Sequence, residues 1–73
     1  MNEKEILFKL GSKIRFERFK RNLSQEGFAQ LVGLSTRTIS TLETGTNNIK
    51  FISLCKIANA LDLEIKDLVD FKL

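Results

Sequence analysis

Apolar residues recur along this chain one helical turn apart. Ile6, Leu7, Leu10 and Ile14 form one group, Phe28, Leu31, Val32 and Leu34 a second, Ile39 and Leu42 a third, and Leu54, Ile57, Ala58 and Leu61 a fourth. A spacing of three or four residues marks an amphipathic helix. The polar residues between the groups supply the ends. Asn2 with Glu5 three positions on is a capping-box pattern, which predicts a first helix over about 3–21, closed by Asn22 in the αL conformation. Ser24 is a good N-cap for a second helix over 25–32 and Ser35 for a third over 36–43. Thr44, Gly45, Thr46 and Asn47 read as a polar loop. A fourth helix is expected over about 51–61, with Asp62 near its end, and a short fifth over about 65–70.

The corner between helices two and three has a steric logic at each position. Gly33 stands where the second helix must stop, and the αL conformation that ends a helix is nearly free for glycine. Ala29 is small enough to let the third helix cross closely. Phe28, Leu31, Val32, Leu34, Ile39 and Leu42 are then expected in one shared core, with Thr36, Arg37, Thr38, Ser40 and Thr41 on the other faces. In helix one Glu17 is flanked by Phe16 and Phe19, which leaves the inward face of that helix ambiguous. Gly27 lies inside helix two at a propensity cost of about 1 kcal/mol.

Composition narrows the function classes. Seventy-three residues, 42% hydrophobic, with four glycines and no proline, suit one small helical domain with a modest core. No apolar run approaches the roughly 20 residues of a membrane span, and no signal peptide is apparent, so a cytoplasmic location is expected. Without histidine, neither a Cys/His nucleophile pair nor an N/S zinc site can be assembled, so no enzyme, metal, cofactor or small-molecule ligand is expected. Cys55, among apolar neighbours, reads as core. The formal charge of +3 is unevenly spread: residues 1–23 carry seven Lys/Arg against three Glu, 24–50 two against two, and 51–73 three against four acids. A basic surplus of that kind suits phosphate steering or a merely solvated helix face; alone it favours the solvated face.

The residues Ile14, Arg18, Leu23 to Gln25, Phe28, Ala29, Gly33, Ile39, Glu43, Gly45, Leu54, Ile57, Ala58 and Leu61 resemble the pattern of the Xre family, the Cro/CI-type helix-turn-helix regulators. The length and the stretch TNNIKFISLCKIANALDL are most similar to the small controller proteins of restriction-modification genes. The resemblance implies an all-α, five-helix, lambda-repressor-like domain over 1–73, with the motif over about 25–44. It also implies an ion pair between Arg18 and Glu43, joining helix one to the end of helix three.

For DNA reading, the resemblance implies that the start of helix three enters the major groove. Thr36, Arg37, Ser40 and Thr41 are then expected at base edges. Arg37 suits guanine, whose O6 and N7 accept both prongs of its fork, though a phosphate contact fits it nearly as well. Phosphate contacts are expected from Gln25, Asn47, Asn48 and Lys50, with Ser24, Ser35 and Thr38 as further members; capping by itself explains the two serines. Ile49, Ile52, Leu63, Ile65, Val69, Phe71 and Leu73 exceed what one short bundle covers and are expected to include a homodimer surface, about half of them being core. The leading function is a sequence-specific double-stranded DNA-binding transcriptional regulator, acting as a homodimer on an inverted-repeat operator. The alternative is the antitoxin of a toxin-antitoxin pair, with a toxin as protein partner.

Overall fold

The computed structural model describes residues 1–73 and contains five helices and no strand. They are α1 (Glu3–Lys20), α2 (Gln25–Val32), α3 (Thr36–Glu43), α4 (Phe51–Ala60) and α5 (Ile65–Leu68). The Asn2 capping box is formed: the Asn2 side chain accepts from the Glu5 N–H at 2.9 Å, and the Glu5 carboxylate accepts from the Asn2 N–H at 3.5 Å. Asn22 and Asp62 take positive φ, 56° and 57°, just past the ends of α1 and α4. α5 closes at Leu68 rather than near residue 70.

The core is a single cluster drawn from all five helices. Ile14, Phe28, Ile39, Leu42, Ile57, Leu61 and Leu68 are its largest fully buried members, with Leu10, Ala29, Val32, Leu54 and Ala58 completing it. Leu31 departs from expectation and is 56% exposed. On α2 the buried stripe is centred between Phe28, Ala29 and Val32, and at about 100° per residue Leu31 lies roughly a quarter-turn or more outside it. Leu34 is half-buried against the cluster, and Cys55 is half-buried rather than fully enclosed.

The ambiguous face of α1 resolves toward the carboxylate. Glu17 is buried, sharing the inward stripe with Leu10 and Ile14, while Phe16 and Phe19 point outward at 54% and 55% exposure. Three cations make this tenable, since a buried charge is costly unless paired. Lys13 approaches at 2.8 Å, Arg21 at 2.8 Å and Lys20 at 3.4 Å. These contacts outweigh the desolvation cost and bring the Glu17 carboxyl down from 4.5 to about 2, the Lys13 and Arg21 hydrogen bonds contributing most. Arg21 also donates to the Leu61 carbonyl at 2.7 Å, so the same cluster ties α1 to the end of α4.

Two glycines let α3 and the following loop close onto α1. A Cβ on Gly11 would collide with the Leu42 carbonyl oxygen and come within 3.0 Å of the Glu43 carbonyl. A Cβ on Gly45, whose φ is +77°, would stand 2.9 Å from the Phe8 Cα. The apolar residues assigned to a dimer surface divide. Ile49, Leu63, Ile65 and Phe71 pack half-buried on the core, whereas Ile52 (66%), Val69 (40%) and Leu73 (77%) are exposed, as is Phe51 (64%), which the sequence reading left out.

Candidate nucleic-acid interface

α2 and α3 meet at a corner that the backbone closes tightly. Gly33 adopts φ 84° and ψ 32°, and the N–H groups of Gly33 and Leu34 both donate to the Ala29 carbonyl, at 2.9 and 3.0 Å. Two residues on, Ser35 has extended backbone and its hydroxyl accepts from the Thr38 N–H at 3.0 Å. Ser24 does the same for α2, accepting from the Gly27 N–H at 2.9 Å. Each serine thus satisfies one donor of its helix's first turn and leaves the two preceding N–H groups, of Gln25 and Glu26 or of Thr36 and Arg37, without an intrahelical acceptor. The Ser35 and Thr38 hydroxyls also bond each other at 2.7 Å.

α3 turns Ile39, Leu42 and Glu43 into the domain and leaves its opening residues outside. Thr36 and Arg37 are exposed, and Thr38 and Ser40 are half-buried. Arg37 enters none of the five ion pairs of the molecule. An exposed guanidinium with no acidic neighbour to neutralise it keeps its whole fork for a ligand.

The other end of α3 is anchored from within. Arg18 on α1 donates from Nε to Glu43 Oε2 at 2.7 Å and from Nη2 to Glu43 Oε1 at 2.9 Å, and both side chains are buried. The third prong, Nη1, donates to the Leu23 carbonyl at 2.7 Å. This raises the Arg18 pKa above its ordinary value, chiefly through the hydrogen bond to Glu43. The same carboxylate accepts from Gln25 Nε2 at 3.1 Å. One buried ion pair therefore holds α1, the loop before α2, the start of α2 and the end of α3 in register. Gln25, expected to face phosphate, has one of its two amide protons committed to Glu43; the other proton remains.

Thr41, expected at base edges, is half-buried and uses its hydroxyl locally. Its hydroxyl donates to the Arg37 carbonyl at 3.0 Å, with the Thr38 carbonyl at 3.2 Å alongside, and accepts from Asn47 Nδ2 at 3.1 Å. Its backbone carbonyl accepts from the Thr46 N–H at 2.9 Å and from the Thr44 and Thr46 hydroxyls at 3.1 Å each. Asn47 is thus turned back onto α3, while Asn48 and Lys50 are exposed and Lys50 makes no side-chain cap bond to α4. Sequence reasoning missed Thr41 as a hub and missed Gly11 altogether. A run of threonines across a helix end and a lone glycine inside a long helix were the signals available for each.

The model of the family described as Helix-turn-helix matches residues 14–68. The chain is 41% identical over 71 residues to the control protein C.BamHI of Bacillus amyloliquefaciens, covering 96% of this chain and 85% of that protein. It is 33% identical over 69 residues to the control protein C.MunI of a Mycoplasma species, covering 93% and 90%. Its fold is similar to the crystal structure of the restriction-modification controller protein C.AhdI from Aeromonas hydrophila. That match has a TM-score of 0.83 at 37% identity and covers 85% of this chain and 94% of that one.

Proposed function

The chain belongs to the helix-turn-helix family, and on that premise we propose that it is a sequence-specific double-stranded DNA-binding transcriptional regulator of the restriction-modification controller type. The observation that carries this reading is the state of α3. Its first turn is exposed, with Thr36 and the unpaired Arg37 outermost, while its far end is locked by the buried Arg18–Glu43 pair. A rigidly held helix with free polar groups at its N-terminal end is what major-groove reading requires.

In this reading Thr36, Arg37 and Ser40 meet base edges. Phosphates are held by the free N–H groups at the start of α2, by the second amide proton of Gln25, and by Asn47, Asn48 and Lys50 after α3. Ser24 and Ser35 serve first as caps, the Thr38 hydroxyl bonds that of Ser35, and all three touch phosphate only at their margins. The protein acts in the cytoplasm as a homodimer on an inverted repeat. Two small domains double the contact area, and half-sites one helical turn apart, about 10–10.5 bp, match a twofold axis. Phe51, Ile52, Val69 and Leu73 are the exposed apolar residues best placed in kind to be covered by the second copy.

Adding a mixed-sequence duplex to the isotopically labelled protein tests the placement. The largest amide shifts are expected at Thr36, Arg37, Ser40, Asn48 and Lys50. Shifts confined to α1 or α4 would remove α3 from the interface.

A further inference from the structure

We propose that Thr41 is a positioning residue that sets the place of the phosphate-binding loop relative to α3, rather than a residue that reads a base. The inference deepens the DNA-binding reading and rests on it for the identity of the bound anion. Its own basis is the convergence at one residue. The Thr41 hydroxyl, half-buried, has its single proton directed at the α3 backbone and its acceptor side filled by the Asn47 amide. Its carbonyl collects one N–H and two hydroxyl donors from Thr44 and Thr46.

The loop therefore leaves α3 with a fixed first half. Thr44, Thr46 and Asn47 are bonded back to Thr41, and Gly45, whose N–H donates to the Leu42 carbonyl, lies against the α1 backbone too closely to admit a side chain. Lys50, the cation of this loop, follows three residues after the last of these bonds, so its distance from α3 depends on them. Thr41 makes the Arg37 backbone and the Asn47 side chain parts of one hydrogen-bonded chain. It sets the reach between the base-reading side chain and the clamp.

Thr41→Val keeps the shape and deletes the hydroxyl; Thr41→Ser keeps the hydroxyl. Binding of each to a mixed-sequence duplex of about 24 bp, roughly two turns, is measured across a salt series, and the retained duplexes are sequenced. Losing one phosphate contact lowers the slope of log K against log salt by about 0.9 per subunit, which is on the order of tenfold in affinity near 0.1 M salt. Thr41→Val is expected to show that drop with an unchanged base profile and an unchanged melting temperature. Thr41→Ser is expected to restore the slope. Lys50→Ala is expected to show the same drop, with no further drop in the double variant. In the free protein, the Asn47 side-chain amide, which loses its Thr41 hydroxyl acceptor, should exchange faster in Thr41→Val only.

A flattened preference at one base pair with the salt slope intact would make Thr41 a base contact and overturn the proposal. Unchanged exchange of the Asn47 side-chain amide in Thr41→Val would overturn it without any DNA being present. If the unsubstituted protein retains no duplex, the DNA-binding reading fails, while the exchange measurement still decides whether Thr41 holds the loop.

Discussion

Arg18 uses every face of its guanidinium inside the domain, two prongs on Glu43 and one on the Leu23 carbonyl. Removing it strands a buried carboxylate, and breaking such a pair costs about 3–5 kcal/mol. Lys20 touches Glu17 at 3.4 Å from a side chain that is 53% exposed, a contact worth less than about 1 kcal/mol. Arg18→Ala is therefore expected to lower the melting temperature far more than Lys20→Ala; equal effects in thermal unfolding would deny the pair its structural weight. Glu17 gives a second handle. Its folded pKa of about 2 lies below the ordinary 4.5, so it contributes stability that is full above about pH 5 and is lost as pH falls toward 2. The loss is at most about 3 kcal/mol. Urea midpoints taken from pH 7 down to pH 2 should fall through that window, and fall less in Glu17→Gln; parallel curves would refute the assignment. The Arg18–Glu43 contact could be anticipated only through family resemblance. Glu17 could not, because Lys13, Lys20 and Arg21 look in sequence like any solvated helix face.

Among the elements, two glycines show different physics under one residue type. At Gly11 the backbone is ordinary helix and space is the constraint, since a methyl there meets the Leu42 and Glu43 backbone. At Gly33 nothing lies within 4 Å of the missing methyl, and the constraint is φ +84°. Alanine at Gly33 should cost about 1–2 kcal/mol in left-handed strain, with asparagine costing less. Alanine at Gly11 gains about 1 kcal/mol in helix propensity. It must nevertheless force α1 and α3 apart, so a net loss is expected, and denaturant titration of both variants measures it. A stabilised Gly11→Ala would contradict the close approach. Helix number and the caps at Asn2, Ser24 and Ser35 were legible in sequence because they depend on residues three or four apart. Leu31, Cys55 and the close approach of α3 at Gly11 were not, because they depend on where a second helix lies. The site was legible as a helix-turn-helix with Arg37 outermost, but the inward turn of Thr41 and the tie between Gln25 and Glu43 arise only when α2, α3 and the loop are assembled.

For the molecule as a whole, four of the seven cations of residues 1–23 are engaged in ion pairs, but three of them share the single Glu17 carboxylate, so the segment keeps a positive surplus. Lys13, Lys20 and Arg21 serve Glu17, and Arg18 serves Glu43, leaving Lys4, Lys9 and Arg15 of the seven cations outside the ion pairs. Arg37 on α3 and Lys50 in the loop that follows, although fewer, are exposed and enter no ion pair. In the proposed homodimer the second copy covers the exposed Phe51, Ile52, Val69 and Leu73, and Ile52→Glu, altering a side chain 66% exposed, should leave the fold intact. Sedimentation is expected to give a dimer for the unsubstituted protein and a monomer for that variant; a monomer in both cases would move the dimer surface elsewhere or remove it. The most direct test of the central claim is a binding selection from a randomised duplex library at near-physiological salt, run in parallel with Arg37→Ala. An inverted repeat, with preference relaxed at one base pair per half-site in the variant and a discrimination loss of about 1–3 kcal/mol there, is the expected result. Failure to enrich any sequence would contradict sequence-specific DNA recognition by this domain.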